Sequence, residues 1–170
     1  VDTQPSFQAA SIGGNATFTV AASGGATLSY QWQESTDNGT TWNDIANGGI
    51  YSGTDTNSLT LTGVGIPEHD NDYRLVITSS DNNCDTYTSA AADLFVRPNL
   101  TVEDVTAVEG GNLAFVITPS HVVNQEITFD LTYTDISTTA SDYSAIANGT
   151  LPANALSVAI NVPAVDDTII

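Results

Sequence analysis

The sequence predicts an all-β chain of two β-sandwich domains in tandem, and three observations carry that prediction. Short stretches of alternating apolar and polar residues recur at roughly 8–12-residue spacing. Clusters of Gly, Asn, Asp and Ser separate them. No window holds a helical period long enough for an amphipathic helix. A chain of 170 residues can bury one large core or two small ones. The pattern favours two, with a break at Arg97-Pro98 that defines domains 1–97 and 98–170.

The first domain opens with a strand over Phe7 to Ala10, and Ile12-Gly13-Gly14-Asn15 turns the chain. Ala16, Phe18 and Val20 alternate with Thr17 and Thr19, the pattern of a half-buried strand. Leu28, Tyr30 and Trp32 alternate with Ser29, Gln31 and Gln33. Asp37-Asn38-Gly39 is a hairpin signal ahead of Trp42 and Ile45. Leu59 and Leu61 mark a further strand, Tyr73, Leu75 and Ile77 another, and Leu94 and Val96 the last. Pro98 ends strand pairing and stiffens a very short linker, so the two sandwiches are expected to stand end to end.

The second domain opens on Leu100 and Val102, and Glu109-Gly110-Gly111 turns the chain. Leu113, Phe115 and Ile117 alternate until Pro119. Ile127, Phe129, Leu131 and Tyr133 give the cleanest period-2 run of the chain. A loop over Asp135–Asp142 follows, then Gly149-Thr150-Leu151 and the alternating Leu156, Val158, Ile160 and Val162.

These positions resemble known families. Immunoglobulin domains bury a Trp on strand C and carry a Tyr two residues before the second cysteine of their bridge. Trp32 and Tyr73 take those places. The resemblance maps the cysteine pair onto Val20 and Leu75, and so implies apolar packing in place of a disulfide. Tyr30-Gln31-Trp32-Gln33-Glu34-Ser35, then Asp37-Asn38-Gly39-Thr40-Thr41-Trp42, is similar to the bacterial Ig-like repeats of large surface proteins. The second domain resembles the Calx-beta family of calcium-binding sandwiches. The matching pieces are Val108-Glu109-Gly110-Gly111, Thr139-Ala140 with Asp142-Tyr143, Gly149-Thr150-Leu151 and Val165-Asp166-Asp167. Ala140-Ser141 stands where that family has a Gly-containing loop. The resemblance also implies further strands after the Asp-Asp pair, so the second sandwich is expected to lack its last strands and the chain to be a piece of something longer.

A calcium site is expected in that domain. Calcium takes six to eight oxygen ligands, several from carboxylates. Glu109 follows the domain's first predicted strand, Asp142 the third, and Asp166-Asp167 the fifth. In an antiparallel sandwich those connections fall at one end. Two carboxylates at ~4 Å repel by up to ~4 kcal/mol at an effective dielectric near ~20, and a cation removes that cost. Glu109, Asp142, Asp166 and Asp167 are the candidate ligands. With the later acids of the family absent, binding is expected in the ~10⁻⁴–10⁻³ M range or weaker.

Charge narrows the partners. Two basic residues, Arg74 and Arg97, stand against 20 acidic ones, for a net charge of −18. Such a surface repels phosphate backbones and anionic lipid, which excludes nucleic-acid binding and favours divalent cations. No apolar stretch reaches the ~18 residues of a membrane span. One cysteine, Cys84, rules out an intrachain disulfide, and it reads as an unpaired surface thiol in a hairpin tip. A thiol beside carboxylates has a raised pKa, so it is no nucleophile.

No catalytic constellation is present: His69 and His121 lie in different domains, and no phosphate loop, nucleophile elbow or zinc spacing appears. Trp42 with Tyr51 invites a sugar-stacking reading, and Glu68, His69, Asp70 and Asp72 a metal reading, but an edge cover and a polar loop explain them as well. The sequence is therefore expected to be a non-enzymatic, extracellular, structural and adhesive repeat segment of a cell-surface protein. Its partners would be neighbouring repeats and a surface polysaccharide or substratum. Together the two repeat types resemble the large gliding adhesins of Bacteroidetes, of the SprB kind. The alternative is an accessory carbohydrate-binding module of a secreted enzyme.

Overall fold

A computed structural model describes residues 1–24, 27–80, 86–108, 110–134 and 142–165. Contacts divide the chain into two compact units, Val1–Arg97 and Pro98–Ile170. Both are β structure, and no helix among the described residues is long and apolar enough to cross a membrane.

The first unit contains β1 (Gln8–Ser11), β2 (Asn15–Thr19), β3 (Leu28–Ser35), β4 (Asn43–Asp44), β5 (Tyr51–Ser52), β6 (Ser58–Thr62), β7 (Asp72–Ser79), β8 (Thr86–Thr88) and β9 (Ala92–Arg97). One sheet runs β1-β9-β7-β3-β4, with β8 also paired to β7; the other runs β2-β6-β5. β1 joins β9 in parallel, and the remaining pairs are antiparallel. This is an Ig-like sandwich.

Its alternation sorts side chains as the sequence predicts. Phe18, Trp32, Leu59, Leu61, Tyr73, Leu75 and Leu94 are fully buried, and all but Leu75 and Leu94 are flanked in their strands by polar residues on both sides. Each large apolar side chain so buried contributes about 1.5–3 kcal/mol. The Phe18 ring lies 4.8 Å from Tyr73 and 6.4 Å from Trp32, centroid to centroid. Trp32 Nε1 donates to the Thr56 carbonyl at 2.9 Å, so its polar atom is satisfied inside the core. Val20 and Leu75, the positions of the cysteine pair in bridged Ig domains, are both fully buried in the same core. With one cysteine in the whole chain, packing stands where the bridge would be.

Short strands escaped sequence reading. Tyr51–Ser52 and Thr86–Thr88 carry too little alternation to register, and they exist because longer neighbours, β6 and β7, offer them an edge. Where β7 passes from β8 to β9, Ser89 fills the gap: its backbone N–H donates to Leu75 O and its hydroxyl accepts from Leu75 N, both at 2.9 Å.

The second unit contains β10 (Leu100–Val102), β11 (Asn112–Pro119), β12 (Ile127–Asp130), β13 (Asn148–Leu151) and β14 (Val158–Pro163). β10-β11-β14 form one antiparallel sheet and β12-β13 another. Ile117, Val123, Leu151 and Val162 are buried, whereas the inward row Leu113, Phe115, Ile127, Phe129, Val158 and Ile160 is half-buried. The long run expected over Ile127–Tyr133 is paired only to Asp130, where it meets Asn148. The alternation outlasts the ladder: Leu131 and Tyr133 remain half-buried, and the Tyr133 hydroxyl both donates to Ile146 O (3.1 Å) and accepts from Ile146 N (3.2 Å).

Candidate functional site

In the second unit a set of backbone contacts draws the chain together around Asp142. Gly111 N donates to Val108 O at 2.9 Å, closing a turn in which Gly110 adopts φ 73, a left-handed value that favours glycine. Gly111 O accepts from Ala164 N at 2.9 Å. Ala164 bridges Tyr143, and Val165 N donates to the Asp142 carbonyl at 2.8 Å. The residues beside the Glu-Gly-Gly turn, Asp142 itself and the residue preceding the Asp-Asp pair therefore meet at one place. The Tyr143 ring stacks on Tyr133 at 5.1 Å, which gives this corner an aromatic floor. Asp142 is half-buried. Glu109, Asp166 and Asp167 lie outside the described residues, as do Cys84 and residues 135–141 of the expected loop. Among the described residues no three His, Cys, Asp or Glu side chains form a metal-sized group. Asp142 is the one predicted ligand that belongs to that set. Its carboxylate is an oxygen donor, the type of ligand calcium takes.

The first unit uses its polar residues differently. Glu68 Oε2 accepts from Gly65 N at 2.7 Å across the 3-10 turn Ile66–Glu68. His69 Nδ1 accepts from Val96 N at 3.2 Å, and its ring meets Phe95 edge-on at 5.2 Å. Asp72 sits opposite Asp93 in the β7–β9 pairing. Glu68 and His69 are thus engaged in holding the loop that leads into β7, a structural role for that acidic stretch.

Tyr51, on the smaller sheet, meets the inner face of the larger one, and Trp42 meets its outer face. The Tyr51 hydroxyl turns inward and donates to Glu34 Oε1 at 2.8 Å. The same oxygen accepts from Asn71 Nδ2 at 2.8 Å and from the Tyr73 hydroxyl at 3.0 Å. Burial, then the contact with Glu34, raises the Tyr51 pKa, and burial, then Tyr51, raises that of Tyr73. Both phenols are therefore donors across the physiological range. This node was not foreseen, although the signal existed: Glu34 follows Trp32 at an interval of two and so shares its inward face. In Ig domains with a tyrosine corner the phenol bonds to backbone; here it bonds to a carboxylate. Trp42 lies outside, with the Arg74 guanidinium carbon 4.0 Å from its ring centroid.

A family model described as Domain of unknown function (DUF8696) matches residues 5–98, more than half of the chain. The chain belongs to this DUF8696 family. The DUF8696 stretch runs through the strands of the first unit and includes the Glu34 node. No curated protein matches the sequence. Among solved structures, the chain is similar to the N-terminal four Ig domains of Dscam1 isoform 1.9, with TM-score 0.53, 11% identity, and coverage of 95% of this chain and 43% of that one. It is also similar to the N-terminal eight Ig domains of Down Syndrome Cell Adhesion Molecule isoform 1.30.30, with TM-score 0.52, 10% identity, and coverage of 87% and 18%. The chain thus spans less than half the length of either, and at such identity the likeness is one of fold.

Proposed function

We propose that this chain is a repeat segment of a large extracellular adhesin, in which the Ig-like unit is a non-catalytic building block and the second unit, Calx-beta-like, takes up calcium. The observation that carries the reading is the convergence of Asp142, one predicted ligand, with Gly111, Ala164 and Val165, which lie near the other three in the sequence. Glu109, Asp142, Asp166 and Asp167 would hold the ion, and the ion would supply positive charge that offsets their repulsion. Support for an adhesive role comes from fold: tandem Ig domains recur in proteins whose names record cell adhesion, Dscam among them. Attachment of cells to a substratum, as in gliding, is the finer form of this proposal.

Two measurements test it. Thermal melting in millimolar calcium should exceed melting in chelator, and Asp142→Ala should abolish the difference. Beads coated with the chain should be retained on polysaccharide-coated surfaces. Equal melting in both buffers would sink the calcium element, and absence of retention the adhesive one.

A further inference from the structure

We propose that Arg74, seated on Trp42, is a receptor for the carboxylate of a glycan, a sugar acid of the uronate class, on the outer face of the first unit's larger sheet. Tyr73 and Leu75 are buried, so Arg74 between them points outward from β7. It pairs in register with Gln33 of β3. Its Nε donates to Gln33 Oε1 at 2.8 Å, and Gln33 Nε2 donates to Asp44 Oδ1 at 2.8 Å. Its guanidinium carbon lies 4.0 Å from the Trp42 ring centroid, and that indole is itself held by Nε1 donating to Gly39 O at 3.0 Å.

The guanidinium is therefore fixed at Nε and along one face, while neither terminal Nη has a partner among the described residues. An arginine so held presents a preorganised fork for one carboxylate. Asp44, which pairs with Gln33, accepts from the Gln33 amide, and neither it nor Asp72, two residues before Arg74 on the same face, makes an ion pair with Arg74. In a chain with two bases and 20 acids, this is a notable place to leave a guanidinium edge open.

The surroundings select the carrier of that carboxylate. On one side of Arg74, Gln31, Val76 and Thr88 lie in register on the same face and offer amide, methyl and hydroxyl to a neutral hydroxylated framework, while Asp72 and Asp93 pair on the other side. A peptide strand needs an open sheet edge. Arg74 has none beside it: β3 flanks β7 on one side, β8 and β9 on the other. A second copy would bring a further charge of −18 against the first, whereas a sugar acid brings one carboxylate. Distant acids of the chain are screened beyond about 8 Å at physiological salt.

Trp32 is buried and Trp42 is not, so a ligand-dependent change in tryptophan emission of the full chain reports Trp42. Titration with trigalacturonate should give a saturable change, and the uncharged galactose trimer none. Arg74→Gln should weaken trigalacturonate binding at least about tenfold. Arg74→Lys, which keeps the charge and drops the fork, should weaken it by a similar factor. Should either variant melt early, Gln33→Ala, which removes the Nε anchor together with the Asp44 contact, replaces it and should also weaken binding. No saturable change, or equal affinity in Arg74→Gln, overturns the proposal. So does Arg74-dependent binding of tetra-aspartate at equal strength, or Arg74-dependent self-association, since either assigns the fork to protein. The calcium-dependent melting of the second unit is a separate readout, so the two proposals fail independently.

Discussion

The Tyr51 hydroxyl donates to Glu34 Oε1 at 2.8 Å, and that bond joins the two sheets of the first unit, since Tyr51 belongs to β5 and Glu34 to β3. Tyr73 and Asn71 complete the set of donors on the same oxygen. Glu34→Ala should destabilise the unit by about 1–3 kcal/mol, because the orphaned donors retain their desolvation cost. Glu34→Gln, which keeps an acceptor oxygen, should cost less. Urea unfolding followed by tryptophan emission checks this, as both tryptophans lie in the first unit. Equal stability of wild type and Glu34→Ala would show the node to be idle.

Asp72 should be a liability at neutral pH. Burial raises its pKa first, and Asp93 and Asp70 raise it further. A carboxyl whose folded pKa lies above the unfolded one binds more protons in the native state, so its cost appears as pH rises through that window and vanishes well below it. Asp72→Asn should therefore raise the melting temperature at pH 7 and leave it unchanged at strongly acid pH. A variant that melts lower at pH 7 contradicts the assignment.

Asp37 titrates with the opposite sign. Bonds from the Thr41 hydroxyl first, then Thr41 N and Ser35 Oγ, lower its pKa. Its contribution is present above the unfolded carboxyl range and is lost as pH falls through the folded value. Asp37→Ala should lower the melting temperature at pH 7 and converge with wild type in acid, measured by the same scan.

Gly149 faces Phe129 across the β12–β13 pair, and a Cβ placed there would lie 2.5 Å from Phe129 Cε2 and 3.0 Å from Ile160 Cδ1. Gly149→Ala should destabilise the second unit by about 1–3 kcal/mol by displacing that ring. Tryptophan emission should not register the loss, whereas tyrosine signals in near-ultraviolet circular dichroism should. A shift of both signals together would refute the confinement.

Calcium removal should act on the second unit alone. If chelator lowers melting followed by tyrosine but leaves the tryptophan-detected transition of the first unit in place, the ion belongs where Asp142 is. A chelator effect on the tryptophan transition instead would move the site.

Much of the architecture was legible because strand alternation is local. Phe18, Trp32, Tyr73 and Leu75 could be assigned to the interior from their spacing, and the absence of a cysteine pair put the weight on packing. The hairpin after Asp37-Asn38-Gly39 was legible for the same reason: Asn38 and Gly39 adopt φ 56 and 78, values that these residues tolerate. Tyr51–Ser52 and Thr86–Thr88 were not legible, because two or three residues carry no period and their pairing is imposed by a neighbour distant in sequence. Of the candidate calcium ligands, Asp142 alone lies among the described residues, and the meeting of its carbonyl with Val165 could not be read from spacing.

By itself the sequence determined which side chains point inward, where the chain turns, that no disulfide staples it, and the sign of its field. Those properties depend on neighbours in the chain and on composition. Only the tertiary structure decided what the inward Glu34 meets and what the outward Arg74 rests on. Both outcomes depend on which strands lie side by side: Glu34 meets Tyr73 and Asn71 at separations of 39 and 37 residues, and Arg74 meets Gln33 at 41. Pairing over such distances is settled by the collective burial of the core, which no local pattern encodes.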